Sequence, residues 1–292
     1  MREILKRLRQ YEIKIRKAIN FQMQGDFHSV FKGSGLDFDD VRAYQYGDDI
    51  RTINWNVSAK GHGTFVNTYK EDKEQSVFFI VDVSASQEIG SEDRQKIDVA
   101  KEICGVLALS AVKENSQTGL FCFSDQKEKY IKPGKGQKHA YQIISELIKL
   151  RPQSRKTSIH NAIVYALHQI KRRSVIILIS DFIDEDFTHD LKALAGKHDL
   201  IVIHISENRE TNLPKLGIVP LYDNESKKTI WVNSSSPAFR KMIKANFSQK
   251  HEWLEDFCRK QGANYLNVDA KEDYVPKLIQ LFRIRNKAGK IA

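Results

Sequence analysis

The sequence predicts an α/β fold, a doubly wound and mostly parallel sheet covered by helices on both faces. Short and almost continuously apolar segments, such as SVFFIVD (76–82) and SVIILISDF (174–182), are typical of strands buried on both sides. Helical patterns of ten or more residues separate them, as in DRQKIDVAKEICGVLALSAVKE (93–114). The composition, 41% apolar and 29% charged, is that of a globular protein with a substantial core.

The remaining elements follow the same alternation. Further strands are predicted at 118–125, 198–206 and 263–269, and further helices at about 137–150, 158–171, 186–197, 237–261 and 275–285. The segment LGIVPLYDNESKKTIWVN (216–233) predicts an inserted β-hairpin that turns at Asp223, Asn224 and Ser226.

The first 75 residues differ from the rest, so we predict two regions, 1–75 and 76–292. Residues 1–24 repeat Ile and Leu at helical spacing and predict an amphipathic helix. Residues 25–75 are dense in Gly, Asp and aromatics, and only TFVNTYKE (64–71) alternates like a strand. We interpret this segment as ordered, loop-rich and packed on the main domain.

Hydropathy and cysteine content indicate the cellular location of the protein. No apolar run approaches the roughly 18 residues of a membrane span, and the N-terminus lacks the apolar core of a signal peptide. The three cysteines, Cys104, Cys122 and Cys258, form no CxxC pair and predict buried thiols in the cytoplasm.

The net charge of +10 is concentrated at the basic ends, 1–20 and 281–292. These ends favour solvated helices over nucleic-acid or anionic-surface binding, which stays an alternative function.

Polar oxygens follow three of the predicted strands. Asp82, Ser84 and Ser86 leave the first strand at alternating positions, Ser124 and Asp125 end the second, and Ser180 and Asp181 end a third. Thr157 and Ser158 directly precede a helix. Because the carboxyl ends of parallel strands share one edge, we expect a cluster there if the strands at 76 and 174 are neighbours. Its members would be Asp82, Ser84, Ser86, Thr157 and Asp181.

This cluster suggests a metal, although Asp and Ser are also ordinary capping residues. An oxygen-only set without His or Cys favours a hard cation, Mg²⁺ or Mn²⁺ over Zn²⁺, with Ca²⁺ as the next candidate. Two carboxylates would nearly neutralise a divalent ion. A remaining coordination position could accept an acidic side chain from a protein partner.

The pattern of an apolar strand, DxSxS, a later Thr and a strand ending in Ser-Asp resembles the metal-ion-dependent adhesion site of von Willebrand factor A domains. Together with GSGLDFDDVRAYQYGDDIRTINWNVSAK (33–60) it resembles the domain-of-unknown-function-58 family over roughly residues 25–233. The resemblance implies Ser84, Ser86 and Thr157 as direct metal ligands, with Asp82 and Asp181 binding directly or through water. It also implies an adaptor role beside MoxR-type AAA+ ATPases in chaperone-like or complex-assembly processes.

Two departures from that family are visible. Many relatives carry transmembrane helices before this segment and this sequence shows none, which weakens a membrane role. The family usually has Asp where this chain has Asn54.

The segment around YQYGDDIRTINW supplies structural or partner-binding candidates: Arg42, Tyr44, Gly47, Asp48, Asp49, Arg51 and Trp55. Catalytic or metal-binding carboxylates are one interpretation of Asp48 and Asp49. The favoured one is a turn in which these carboxylates bond backbone amides or pair with Arg42 or Arg51. Tyr44 and Trp55 would then be buried anchors.

Enzyme motifs are absent from the sequence. There is no GxxxxGK[ST] loop, no GxSxG elbow and no GxGxxG at a strand-to-helix turn. A metal-assisted hydrolase would need a general base, for which Asp125 is the candidate. We therefore expect a metal-dependent protein-interaction module rather than an enzyme.

Overall fold

The computed structural model describes residues 35–61, 63–72, 76–91, 94–207, 210, 214–222 and 229–288. The chain divides into two compact units, residues 32–75 and a larger unit that holds the described residues from Ser76 onward. The predicted helix at 1–24, the hairpin turn at Asp223, Asn224 and Ser226, and most of the basic ends lie outside the described residues.

The smaller unit is built on two antiparallel strands, β1 (Gly35–Ala43) and β2 (Phe65–Asp72). A 3-10 turn (Ile50–Thr52) and a one-turn helix, α1 (Trp55–Ser58), lie between them in the chain. Strand β2 is the predicted one, whereas β1 was expected to be loop. Its sequence, GLDFDDVRA, carries three Asp residues, which are poor strand formers, and its register with β2 shifts between Phe38 and Asp40.

Ten strands follow in the described part of the larger unit. They are β3 (Ser76–Asp82), β4 (Gly90–Ser91), β5 (Arg94–Gln95), β6 (Gln117–Phe123), β7 (Lys127–Gly134), β8 (Val175–Ser180), β9 (Asp199–Ser206), β10 (Ile218–Tyr222), β11 (Thr229–Asn233) and β12 (Asn264–Asp269). Six of them form one sheet in the order β12-β9-β8-β3-β6-β7. All neighbours are parallel except β7, which pairs antiparallel with β6 at the edge.

Six helices accompany these strands in the described residues. They are α2 (Lys96–Lys113), α3 (Gln137–Lys149), α4 (Ile159–Gln169), α5 (Thr188–Lys197), α6 (Pro237–Lys260) and α7 (Val275–Ala288). The predicted helices agree with these bounds to within a few residues. The predicted hairpin is also present, since β10 pairs antiparallel with β11.

The core lies in two layers, one on each face of the sheet. Residues of α2, α3 and α7 pack against one set of strand side chains, including Phe79 and Val81. Residues of α4, α5 and α6 pack against the alternate set, including Phe78 and Ile80. Period-two alternation along a strand sends neighbouring side chains to opposite faces, so a strand covered on both sides must be apolar throughout. The fold is the predicted doubly wound one.

The structure also tests the predictions about the cysteines and about membrane-spanning segments. All three cysteines are buried free thiols, as predicted. Across the described ranges, no helix is both long enough and apolar enough to cross a membrane.

Candidate metal centre at the carboxyl edge of the sheet

Asp82 is the last residue of β3, the strand between β8 and β6, and it is fully buried. Its Oδ1 accepts a hydrogen bond from the Ser84 amide (3.0 Å), and its Oδ2 accepts one from the Ser180 hydroxyl (2.6 Å). Gln87 Nε2 lies 3.4 Å from the same Oδ2. Burial and the negative charge of Asp181 raise the pKa of Asp82 to about 7 in spite of these donors. A cation placed here would relieve that cost.

Ser84 and Ser86 follow Asp82 in a tight turn. The turn is the 3-10 segment Ala85–Glu88, and Ser84 precedes it without using its side chain as a cap. Both serines are buried, and their hydroxyl oxygens lie 3.0 Å apart. The alternation seen in the sequence therefore does bring two hydroxyls to one point beside a carboxylate.

The third hydroxyl, that of Thr157, lies in a loop tied to the same edge. The Ala85 amide donates to the carbonyl of Arg155 (3.0 Å), and the Ser158 amide donates to the carbonyl of Ser124 (3.1 Å). Thr157, which is half-buried, lies between these two attachments. The loop is thus held against the ends of β3 and β6.

Glu128 on β7 holds the earlier part of that loop, a role the sequence did not indicate. Its carboxylate accepts hydrogen bonds from the amides of Gln153 (2.8 Å) and Ser154 (3.0 Å) and from the hydroxyl of Ser124 (2.6 Å). Strand β7 was not predicted, because KEKYIKPG contains a Pro and little apolar character. The only available signal was its position directly after the polar end of β6.

Asp181, which follows β8, is also buried. Its Oδ1 accepts a hydrogen bond from the Ile183 amide (3.2 Å), and its Oδ2 accepts one from Nζ of Lys96 (2.7 Å). Lys96 is completely buried and also donates to Glu210 (2.6 Å). Burial opposes the charge on Lys96, but the two carboxylates outweigh it and raise the pKa of Lys96.

The sequence reading missed Lys96, although a signal was present. Lys96, Val99, Ala100 and Ile103 share one face of α2 at helical spacing, and the last three are core residues. A lysine in an apolar stripe is a candidate for a buried ion pair.

The residues present fit a hard divalent cation. Adjacent ligands of an octahedral Mg²⁺ at about 2.05 Å lie about 2.9 Å from one another, close to the 3.0 Å between the Ser84 and Ser86 hydroxyls. No three His, Cys, Asp or Glu side chains of the described residues gather around a common metal position. Any metal here would therefore depend on hydroxyl oxygens, which suit Mg²⁺ or Mn²⁺ better than Zn²⁺.

A cleft of about 140 Å³ opens beside Ser84. Its walls include Lys101 and Arg151 as well as Glu88 and Asp98. This volume is many times the roughly 10–15 Å³ that one water requires. The cleft therefore opens beside Ser84, while Ser86 is not among its lining residues.

The model of the family described as "Protein of unknown function DUF58" matches residues 40–252 of the chain. The chain belongs to the DUF58 family. A similar curated relative, the uncharacterized protein Rv1480 of Mycobacterium tuberculosis, is 23% identical over 287 residues, which cover 97% of this chain and 90% of that protein.

Solved structures resemble this DUF58 chain in fold. An aerotolerance-related membrane protein from Bacteroides fragilis superposes with a TM-score of 0.51 at 13% identity, covering 73% of this chain and 99% of that one. BatB from Bacteroides thetaiotaomicron gives a TM-score of 0.47 at 15% identity, with coverage of 74% and 99%. The SpRpn10 VWA domain gives 0.41 at 12% identity, with coverage of 71% and 93%.

The DUF58 match includes the motif around Arg42. The Arg42 guanidinium donates to both carboxylate oxygens of Asp48 (2.8 and 2.7 Å), and the Gln45 amide donates to Asp48 as well (2.8 Å). Gly47 turns the chain with φ of +103°, in the left-handed region that favours glycine. These contacts form the turn favoured from the sequence, and the hydrogen bonds from Arg42 hold the pKa of Asp48 below its usual value.

In the rest of the motif, residues 49–55, one prediction was wrong. Asp49 accepts from the Arg51 amide (2.9 Å) at the start of the 3-10 turn, and Asn54 caps α1 by accepting from the Val57 amide (3.1 Å). The prediction that Trp55 is a buried anchor was wrong, since its side chain is 71% exposed. Tyr44 is only half-buried. Helix α1 is a single turn and has no apolar layer of its own in which to bury an indole.

Asp125, the candidate general base, follows β6 and is half-buried. Its carbonyl accepts from Asn161 Nδ2 (3.1 Å), which joins the end of β6 to α4. Its carboxylate lies at the far limit of hydrogen bonding from the Ser124 hydroxyl, at 3.5 Å. The structure therefore gives Asp125 a place at the sheet edge without a close partner for proton transfer in these contacts.

Proposed function

We propose that this DUF58 chain is a divalent-metal-dependent protein-interaction module. The observation that supports the proposal best is the buried pair of Ser84 and Ser86 hydroxyls, 3.0 Å apart, beside the buried carboxylate of Asp82. We propose that Asp181, which follows the neighbouring strand, and the Thr157 loop complete an oxygen-rich edge. We propose that this site binds a partner rather than catalysing a reaction.

Each residue has a distinct role in the proposal. The hydroxyls of Ser84, Ser86 and Thr157 bind the cation directly, and the carboxylates of Asp82 and Asp181 balance its charge directly or through water. Mg²⁺ or Mn²⁺ would supply a Lewis-acidic coordination position for a carboxylate of the partner. The hydrogen bonds from Ser84 N and Ser180 Oγ fix the Asp82 carboxylate before any ion arrives.

The proposed partner is a protein that offers an acidic side chain. A MoxR-type AAA+ ATPase in the cytoplasm is the favoured candidate, and the chain would act as its adaptor. The cleft beside Ser84 supports this arrangement, because it opens next to one of the two serines. Its walls carry two basic groups, Lys101 and Arg151, and two acidic ones, Glu88 and Asp98.

The test is a binding assay with purified components. The chain is immobilised, and binding of a MoxR-type ATPase from the same cell is measured in Mg²⁺ and in EDTA. We expect binding in Mg²⁺, loss in EDTA, and loss in Ser84→Ala and Asp82→Ala. Ser174→Ala is the matched control, since Ser174 precedes β8 at the opposite edge and its hydroxyl donates to the nearby Arg172 carbonyl (3.0 Å). Binding that is indifferent to EDTA and to both site variants would show the proposal to be wrong.

A further inference from the structure

Lys96 brings a positive charge to the metal centre from within the protein. It is the first residue of α2 and is fully buried. Its Nζ donates to Asp181 Oδ2 (2.7 Å) and to Glu210 Oε1 (2.6 Å). Both distances are those of charge-assisted hydrogen bonds.

The backbone before α2 fixes the position of this lysine. Strands β4 and β5 form a two-residue ladder, and the Lys96 amide donates to the carbonyl of Ile89 (3.0 Å). Gly90 allows the close approach of the ladder, since a Cβ there would lie 2.5 Å from the Arg94 carbonyl oxygen. Lys96 therefore starts its helix at a set distance from the Ser84–Ser86 turn.

Asp181 has one buried charged group of each sign near it, the Lys96 ammonium and the Asp82 carboxylate. Its Oδ2 accepts a hydrogen bond from Lys96 (2.7 Å), and it follows β8, the strand that pairs with the strand ending in the buried Asp82. Two buried carboxylates on adjacent strands repel one another unless a cation lies near. In the metal-free protein, Lys96 is the cation in contact with Asp181.

We propose that Lys96 is the internal counter-cation of the metal centre. It holds the Asp181 carboxylate in place without metal through the 2.7 Å hydrogen bond, and its charge weakens divalent-cation binding so that the ion can exchange. The inference rests on the proposed function, because it concerns the regulation of the same site. The Glu210 carboxylate partly neutralises the charge of Lys96. Glu210 therefore favours metal binding indirectly, through its ion pair with Lys96.

The experiment is a calorimetric titration of the full chain with MgCl₂ and with MnCl₂. Lys96→Met should bind at least tenfold more tightly than the wild type, because a positive charge near the ion is lost. Glu210→Gln should bind about threefold or more weakly, because Lys96 is then less neutralised. Lys96→Arg retains the charge and should stay within threefold of the wild type. Lys113→Met, which removes an exposed charge at the far end of α2, is the matched control and should have no effect.

The thermal stability of the same variants gives a second measurement. Metal-free Lys96→Met should melt below the wild type, because Asp181 loses its cation, and Mg²⁺ should raise its melting temperature more than that of the wild type. Glu210→Gln keeps the proposal testable if Lys96→Met fails to fold without metal.

Each outcome has a defined meaning. If Lys96→Met binds the divalent cation no more tightly than the wild type, whatever the effect of Glu210→Gln, this inference is wrong. The proposed function survives that result if the wild type binds the ion and Ser84→Ala weakens the binding. Absence of divalent-cation binding in the wild type and in Lys96→Met alike overturns both the inference and the proposed function.

Discussion

The Ser180 hydroxyl donates a 2.6 Å hydrogen bond to Oδ2 of Asp82, and so it joins the ends of the two adjacent strands β8 and β3. Both residues are fully buried. The same Ser180 oxygen accepts a hydrogen bond from the amide of Phe182 (3.0 Å). Ser180 therefore fixes the Asp82 carboxylate and the turn that leads away from Asp181.

Removing this hydroxyl should destabilise the fold. We expect Ser180→Ala to lower the free energy of unfolding by about 1–3 kcal/mol, because a buried carboxylate loses a donor. Urea denaturation measures the change. Ser116→Ala is the control, since the buried Ser116 hydroxyl has no hydrogen-bond partner among the described residues, and we expect it to be nearly neutral. Equal effects of the two substitutions would contradict the role of Ser180.

Asp82 should make the metal-free protein less stable as the pH rises. Its pKa is raised from 3.8 to about 7, so the folded state binds more protons than the unfolded state between these values. The contribution of Asp82 is therefore favourable at low pH and is lost as the pH rises through 7, by roughly 4 kcal/mol.

The measurement is urea denaturation in EDTA at pH 5 and pH 8 for the wild type and Asp82→Asn. The difference between the two proteins isolates Asp82 from His198 and His204, whose lowered pKa values act in the opposite direction. The wild type should lose stability relative to Asp82→Asn between the two pH values. An unchanged difference would show that Asp82 does not titrate in this range.

Glu128 should order the Thr157 loop. We expect Glu128→Ala to speed hydrogen exchange at the amides of Gln153 and Ser154, which lose their acceptor, and to weaken Mg²⁺ binding by about three- to tenfold as the loop loosens. Glu146→Ala is the control, because Glu146 pairs only with the exposed Lys129 (2.6 Å), and such surface pairs contribute little. If exchange in the loop is the same in both variants, Glu128 has no ordering role.

Asp48 should hold its turn down to acidic pH. The pKa of Asp48 is lowered by its bonds with Arg42, so the stabilisation is present above the usual carboxyl pKa and is lost only as the pH falls below that value. Hydrogen exchange at the Gln45 amide is the measurement. Protection should persist to about pH 4 in the wild type and be lost in Asp48→Asn. Asp40→Asn, which neutralises a carboxylate that accepts from the adjacent Val41 amide, should leave that protection intact.

The sequence predicted the parts of the fold that follow from local patterns. Val175–Ser180 is uniformly apolar up to its last residue, and such a run between turn signals is typical of a doubly covered strand. The edge strand Lys127–Gly134 escaped prediction because one side of an edge strand is solvated, which permits charge and Pro. Tertiary pairing, rather than local preference, makes it a strand.

The candidate site also contains residues that local sequence patterns predicted and residues that they did not. Asp82, Ser84 and Ser86 were visible because they are close in sequence and follow a strand. Lys96 was not predicted, because its partners Asp181 and Glu210 lie 85 and 114 residues away in the sequence. Trp55 was predicted to be buried, whereas the one-turn helix α1 buries none of its residues.

The most direct test of the metal centre is a count of bound Mn²⁺ by electron paramagnetic resonance, in the wild type and in the double variant Ser84→Ala/Ser86→Ala. The account predicts one ion bound per wild-type chain, displaced by excess Mg²⁺, and at least tenfold weaker binding in the double variant. Ser174→Ala should bind like the wild type. No bound Mn²⁺ in the wild type, or equal binding in the wild type and the double variant, would contradict the account.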